Sequence, residues 1–91
     1  MSVSTKITIQ NLKGLHARAT SKFVKTAEGF QSDVKVTKGE ERPASGKSIV
    51  GLLMLGASLG EEITITADGS DENEAIKALT DLINDRFGED M

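Results

Sequence analysis

Apolar residues along this chain recur at two different spacings in turn, and the order of those spacings limits what it can fold into. Ile7 and Ile9 alternate with polar neighbours within Thr5 to Gln10, the period of a half-buried strand. After a loop from Asn11 to Leu15, the step changes to three and four residues. Ala17, Thr20, Phe23, Val24 and Ala27 then trace one face of a helix of about three turns, and Gly29 is placed to end it as a C′ residue. Alternation returns over Ser32 to Lys38, with Val34 and Val36 on one face. Beyond a turn at Gly39-Glu40-Glu41, a short strand is expected around Glu41 to Ala44, confined to an edge or end position by Pro43.

Ser48 is a good N-cap for a short helix running through Ile49-Val50-Gly51-Leu52-Leu53-Met54-Leu55, closed by Gly56 and Gly60. Glu61 to Ala67 is the clearest strand, alternating Ile63, Ile65 and Ala67. Ser70 or Asp71 can cap a last helix, and Asp71-x-x-Glu74 has the spacing of a capping box. Its apolar stripe is Ala75, Ile76, Leu79, Leu82, Ile83 and Phe87. The order is β-α-β-β-α-β-α. Strands with a single apolar face need a cover, and only the helices can supply it. The pattern predicts an α+β fold with a mainly antiparallel sheet and helices on one side. With 91 residues and no linker or long repeat, one domain over 1–91 is expected.

Composition narrows the functions. A net charge of −3, with both signs interspersed, argues against nucleic acid as the main partner, because affinity there comes from neutralising phosphates. The only aromatic residues are Phe23, Phe30 and Phe87, too few for a base-stacking platform. Without cysteine, neither disulfides nor thiolate metal sites are available. The first residues lack the apolar core of a signal peptide. The longest apolar stretch, Ile49 to Leu59, falls short of the ~20 residues that span a bilayer. A cytoplasmic, non-inserted protein is expected.

His16 is the only histidine, in Gly14-Leu15-His16-Ala17-Arg18. It falls at the start of the first helix, where unpaired N–H groups and the positive end of the helix dipole favour an anion. Histidine is a poor cap compared with Ser, Thr, Asp or Asn, so a purely capping role explains it badly. The guanidinium of Arg18 can hold phosphate oxygens through paired hydrogen bonds, and a cap residue's extended backbone lets His16 swing back over the first turn towards it. Gly14 and Ala17 leave the ring open to another protein. A Ser-His-Asp triad finds no support, because no ordering carboxylate can be assigned. A metal site would have only carboxylates to complete it. Nucleophilic catalysis by the imidazole remains, a ring nitrogen taking up a phosphoryl group and later releasing it.

Gly14-Leu15-His16-Ala17-Arg18 and Gly46-Lys47-Ser48-Ile49-Val50-Gly51-Leu52-Leu53 resemble the two signature segments of HPr, the histidine-containing phosphocarrier family of the bacterial phosphotransferase system. The resemblance extends over essentially the whole chain. It implies an open-faced β-sandwich of four antiparallel strands and three helices. It further implies that His16 takes phosphate on Nδ1 from phosphorylated enzyme I, steadied by Arg18 and the backbone of Ala17, Arg18 and Ala19. The phosphate would then pass to an enzyme IIA-type protein, with no cofactor and no metal. Ser48 matches the serine that HPr kinase/phosphorylase modifies in many members. Ile49, Val50 and Leu53 match an exposed apolar docking patch, with Ser21 and Lys25 on its rim, and transient docking favours a monomer. Ala19 replaces the family's usual proline and restores an N–H to the first turn. A competing reading is a regulatory binding module of a nitrogen-type branch acting mainly by docking. The presence of His16 counts against a purely regulatory role.

Overall fold

The computed structural model describes residues 2–90. The chain runs β1 (Ser2–Thr8), α1 (Ala17–Glu28), β2 (Asp33–Thr37), β3 (Ala44–Ser45), α2 (Ile49–Leu55), β4 (Glu62–Asp68) and α3 (Glu72–Asn84), followed by a 3-10 turn at Arg86–Gly88. The strands form one antiparallel sheet in the order β1-β4-β2-β3. This is the antiparallel sheet with helices on one side that the patterning predicts, and the open-faced sandwich that the resemblance implies. Ile7 sits opposite Ile63, and Val34 and Val36 opposite Ala67 and Ile65. All six are buried, because alternate side chains on a strand point to one face and the helices cover that face. The other face is polar, with the Ser4 and Thr66 hydroxyls bonded across the sheet at 2.8 Å.

Helix α1 buries Ala19, Thr20, Phe23, Val24 and Ala27. Ala17, expected in that stripe, is exposed and Ala19 takes its place. The stripe is centred between Phe23 and Ala27, so Ala17 lies further round the helix, at its open first turn. Gly29 ends α1 with φ −73°, not in the left-handed form of a C′ glycine. The last turn tightens instead, with Gly29 N–H on the Thr26 carbonyl and Phe30 N–H on the Ala27 carbonyl.

Helix α2 packs Leu52 and Leu55 inward, with Ser48 as its N-cap. The turn before it presses on the core at Gly46, whose amide bonds the Val34 carbonyl at 2.7 Å. A Cβ there would collide with Val34 and crowd Phe23. Strand β3 is an edge strand as expected, but it occupies Ala44–Ser45 instead of Glu41 to Ala44. Pro43 has no N–H to give a ladder, so pairing begins after it. Strand β1 starts earlier than its apolar pattern indicates, at Ser2, because β4 pairs along all of it.

Two features of α3 depart from expectation. The Asp71 side chain makes no cap bond to its own helix. It accepts instead from the Gln31 amide at 2.8 Å and from the amide and hydroxyl of Ser32, tying α3 to the α1–β2 connection. Glu72, not Glu74, reaches back, accepting from the Gly69 amide at 3.1 Å. The helix also stops at Asn84, before Phe87. Arg86 and Phe87 both have φ of 55°, left-handed values that cost non-glycine residues about 1–3 kcal/mol each. The fully buried ring of Phe87 and a 2.6 Å bond from Lys22 Nζ to its carbonyl hold the turn in place.

The Ser32 hydroxyl and the Gln31 amide hold the Asp71 carboxyl below the ordinary aspartate range, against a smaller upward push from burial. A carboxyl depressed in the folded state contributes stability above its unfolded pKa and loses it as pH falls through the folded one. Asp71→Asn should therefore lower Tm at pH 7, and the gap to the parent should narrow below about pH 4, near the unfolded aspartate value. Thermal melts from pH 7 to 2 test this; a gap independent of pH would contradict it.

Candidate functional site

The loop between β1 and α1 is fixed before it reaches the histidine. Gly14 adopts φ +63° and lies so close to the α2–β4 connection that a Cβ would stand 2.5 Å from the Ala57 carbonyl oxygen. Only glycine accepts both the left-handed backbone and that approach. The Leu15 amide bonds the same Ala57 carbonyl at 2.9 Å, and the Leu15 side chain is buried. His16 follows in extended conformation, φ −90° and ψ 179°, as the N-cap of α1. Its carbonyl accepts from the Thr20 amide at 2.9 Å and the Thr20 hydroxyl at 3.0 Å, which anchors the helix start.

The imidazole makes no bond back to the helix. The first-turn amides of Ala17, Arg18 and Ala19 thus keep the unpaired donors that the start of a helix provides. Ala17 and Arg18 are exposed, while the Ala19 side chain is buried beneath them. His16 and Arg18 line an open cavity of about 530 Å³ together with Lys13, Lys22, Glu89 and Asp90. Arg18 forms no ion pair among the described residues, so its guanidinium is available to an arriving anion.

The hydrogen-bond partner of the His16 ring is not Arg18. Its Nε2 meets the Glu89 carboxylate through Oε2. The sequence does not link Glu89 to His16: it lies 73 positions away, beyond the apolar stripe of α3. Its other oxygen, Oε1, accepts from Asn11 Nδ2 at 3.0 Å, and the same amide group donates to the Gly14 carbonyl at 2.8 Å. Burial pushes the Glu89 carboxyl up, but hydrogen bonds from Asn11 and His16, with the charges of His16 and Lys13, outweigh it and leave the group below its ordinary range. The His16 side chain keeps 27% of its surface exposed and Glu89 only 15%, so the ring is reachable while its partner is largely covered.

The second segment lies on α2. Ser48 Oγ accepts from the Gly51 amide at 3.1 Å, as an N-cap should. Ile49, Val50 and Leu53 are 41%, 66% and 39% exposed, and Leu12 and Met54 extend the apolar surface. The contact of Gly14 and Leu15 with Ala57 sets the His16 loop against the segment leaving the C-terminal end of α2. Ser48 sits at the other end of that helix. Ser21 and Lys25 are exposed on α1. Among the described residues no group of three or more His, Cys, Asp or Glu could hold a metal ion, and no helix is long and apolar enough to cross a membrane.

A single reachable imidazole in an open cavity, on an open α+β sandwich, has the form of a carrier domain: it presents a ring at the surface without enclosing a substrate. Residues 3–85 match the family model described as the PTS HPr component phosphorylation site. The chain is 57% identical over 83 residues to the phosphocarrier protein HPr of Neisseria meningitidis, covering 91% of this chain and 92% of that one. Its structure is similar to that of HPr-C-His from Thermoanaerobacter tengcongensis, with TM-score 0.91, 44% identity and coverage of 98% and 99%. It is also similar to the phosphocarrier protein HPr of Bacillus anthracis, with TM-score 0.85, 34% identity and coverage of 90% and 96%. The chain belongs to the HPr family of phosphocarrier proteins of the bacterial phosphotransferase system.

The dependence of the site on Gly14 can be measured. Gly14→Ala introduces both a disfavoured φ and a clash with the Ala57 carbonyl. It should destabilise the fold by about 2 kcal/mol and displace the His16 ring resonances. Denaturant melts and NMR spectra check the two effects; an unchanged His16 environment would show that the loop is held by other contacts.

Proposed function

We propose that this chain, acting as one domain in the cytoplasm, accepts a phosphoryl group on His16 from phosphorylated enzyme I and passes it to enzyme IIA-type proteins. The observation that carries this reading is the placement of His16: a reachable ring at the start of α1, beside unpaired amides and the unpaired Arg18. A phosphoryl group bonded to Nδ1 would lie towards the first turn of α1. There the amides of Ala17, Arg18 and Ala19 and the guanidinium of Arg18 would share its charge. Lys13 and Lys22 add positive potential at the cavity wall. The carrier needs only to orient and neutralise the group, because donor and acceptor proteins bring the remaining catalytic groups.

Docking of both partners is assigned to the surface that Ile49, Val50 and Leu53 expose, with Ser21 and Lys25 at its polar rim. One small patch serving two partners in turn favours brief encounters and a monomeric carrier. Phosphorylation of Ser48 by HPr kinase/phosphorylase would add negative charge at the start of α2, where helix donors tolerate it. The fold would persist, while the docking patch one residue away would become anionic.

Two experiments test these assignments. Incubation with phosphoenolpyruvate and enzyme I should give an acid-labile phosphate that His16→Ala lacks; an unlabelled parent protein would sink the carrier reading. In the same assay Ala19→Pro, which removes one first-turn donor, should shorten phosphohistidine lifetime or slow transfer about threefold, the scale of a single helix-terminus interaction. Separately, ATP and HPr kinase should label the parent but not Ser48→Ala, and the labelled protein should accept phosphate from enzyme I about tenfold more slowly. Equal rates with and without the Ser48 phosphate would remove the regulatory role.

A further inference from the structure

We infer that Glu89 is a positioning residue for His16, holding the proton on Nε2 and turning the Nδ1 lone pair outward for phosphoryl transfer. This rests on the carrier reading of His16 above. A neutral imidazole has one N–H donor and one lone-pair nitrogen, and an ionised carboxylate can only accept. With Glu89 Oε2 on Nε2, the proton belongs on Nε2 and Nδ1 is left as the nucleophile. No described residue bonds Nδ1.

The carboxylate is itself positioned. Asn11 is fully buried and spends its two amide hydrogens on the Gly14 carbonyl and Glu89 Oε1. One side chain thus ties the loop that carries His16 to the group that orients the ring. On the far side, Glu89 is delivered by a turn that would not persist unaided. Arg86 and Phe87 are left-handed, the Phe87 ring is buried, Lys22 holds the Phe87 carbonyl at 2.6 Å, and the Glu89 amide bonds the Arg86 carbonyl at 2.9 Å. Unfavourable backbone conformations fixed by core packing and hydrogen bonds occur where a particular geometry is required.

The transfer step gives the carboxylate a second task. As the Nδ1 lone pair forms the N–P bond, the bond from phosphorus to the donor breaks and its electron pair stays on the donor. The Nε2 proton does not leave, so the phosphorylated ring carries positive charge that Glu89 balances. On unloading, the N–P bond pair returns to Nδ1 and the ring is neutral again, with the same proton in the same hydrogen bond.

The test uses the full chain and three side chains at one position. In ¹⁵N-resolved NMR at a pH where the imidazole is neutral, the parent should show a protected Nε2–H signal. Glu89→Gln should weaken it, because its single amide oxygen cannot accept from both Asn11 and His16, and Glu89→Ala should lose it to solvent exchange. Phosphate acceptance from enzyme I should fall about tenfold or more in Glu89→Ala with KM for enzyme I unchanged, the scale seen when the group that orients a histidine is removed. Glu89→Gln should fall between the two, having one acceptor oxygen and no charge. A parent Nε2–H as exchange-broadened as that of Glu89→Ala, or equal transfer by parent and Glu89→Ala, overturns the inference. Should the parent take no phosphate at all, the carrier reading fails by itself, and the Nε2–H signal alone decides whether Glu89 holds the ring.

Discussion

The pairing of β4 with both β1 and β2 is the constraint on which the rest of this structure depends. The strand formed late in the chain occupies the middle of the sheet, and its register with β1 brings Thr8 opposite Glu62. The exchange continues past the strand ends, where Ile9 N–H bonds the Glu61 carbonyl and Gly60 N–H bonds the Ile9 carbonyl, both at 2.9 Å. The segment leaving β1 is thereby held against the segment entering β4, which is why Gly14 and Leu15 meet Ala57. Helix α3 leaves the far end of β4, packs back over β1 and β4, and finishes at the same place, with Gln10 Nε2 on Asn84 Oδ1 at 2.7 Å. Residues around 10–16, 57–61 and 84–90 converge because of one strand's position. The site is assembled at that junction.

The cation placement follows from the same geometry. Lys13 comes from the loop, Arg18 from the exposed face of the first turn and Lys22 from one turn further along α1. Lys22 has a divided role, since its ammonium also caps the Phe87 carbonyl. Glu89 and Asp90 add negative charge to the same lining. Around His16 the three cations outnumber the two acids, so the lining as a whole favours an anion. The apolar surface that α2 exposes, proposed above as the docking site, would supply what such a shallow site lacks, a way to hold a partner protein long enough for transfer.

Period explains which parts of this arrangement were legible in the sequence. Alternation in β2 and β4 and the stripe through Phe23 and Val24 reflect burial directly, so the element order and the sheet's inner face could be read without coordinates. His16 was legible because a histidine at a helix start satisfies anion chemistry better than capping chemistry. Local rules failed where a side chain had a distant partner. Asp71 has the spacing of a capping box, yet its carboxylate serves Gln31 and Ser32, donors that only the tertiary fold brings near. Phe87 has helical spacing, yet the helix ends at Asn84 and the ring reaches the core from a strained turn. Glu89 carries no sequence signal at all, since an acidic residue near the chain end reads as solvated charge. Its meaning lies in the contact with His16, which no periodicity encodes.

A carboxylate beside an anion-accepting histidine would ordinarily oppose the anion, and the two ring nitrogens resolve the conflict. Glu89 meets Nε2, on one edge of the imidazole, while no described residue bonds Nδ1 on the other. The ring separates the two negative groups and is polarised by both. With the proton held at Nε2, as inferred above, positive charge developing on the ring would be stabilised from one side as a phosphoryl group approached from the other. The same carboxylate placed against Nδ1 would occupy the nucleophile and repel the incoming group. Proximity of Glu89 to His16 is therefore insufficient; the contact must be made through Nε2. Asn11, by fixing Glu89 to the Gly14 carbonyl, sets the approach of the carboxylate relative to the loop that sets the ring.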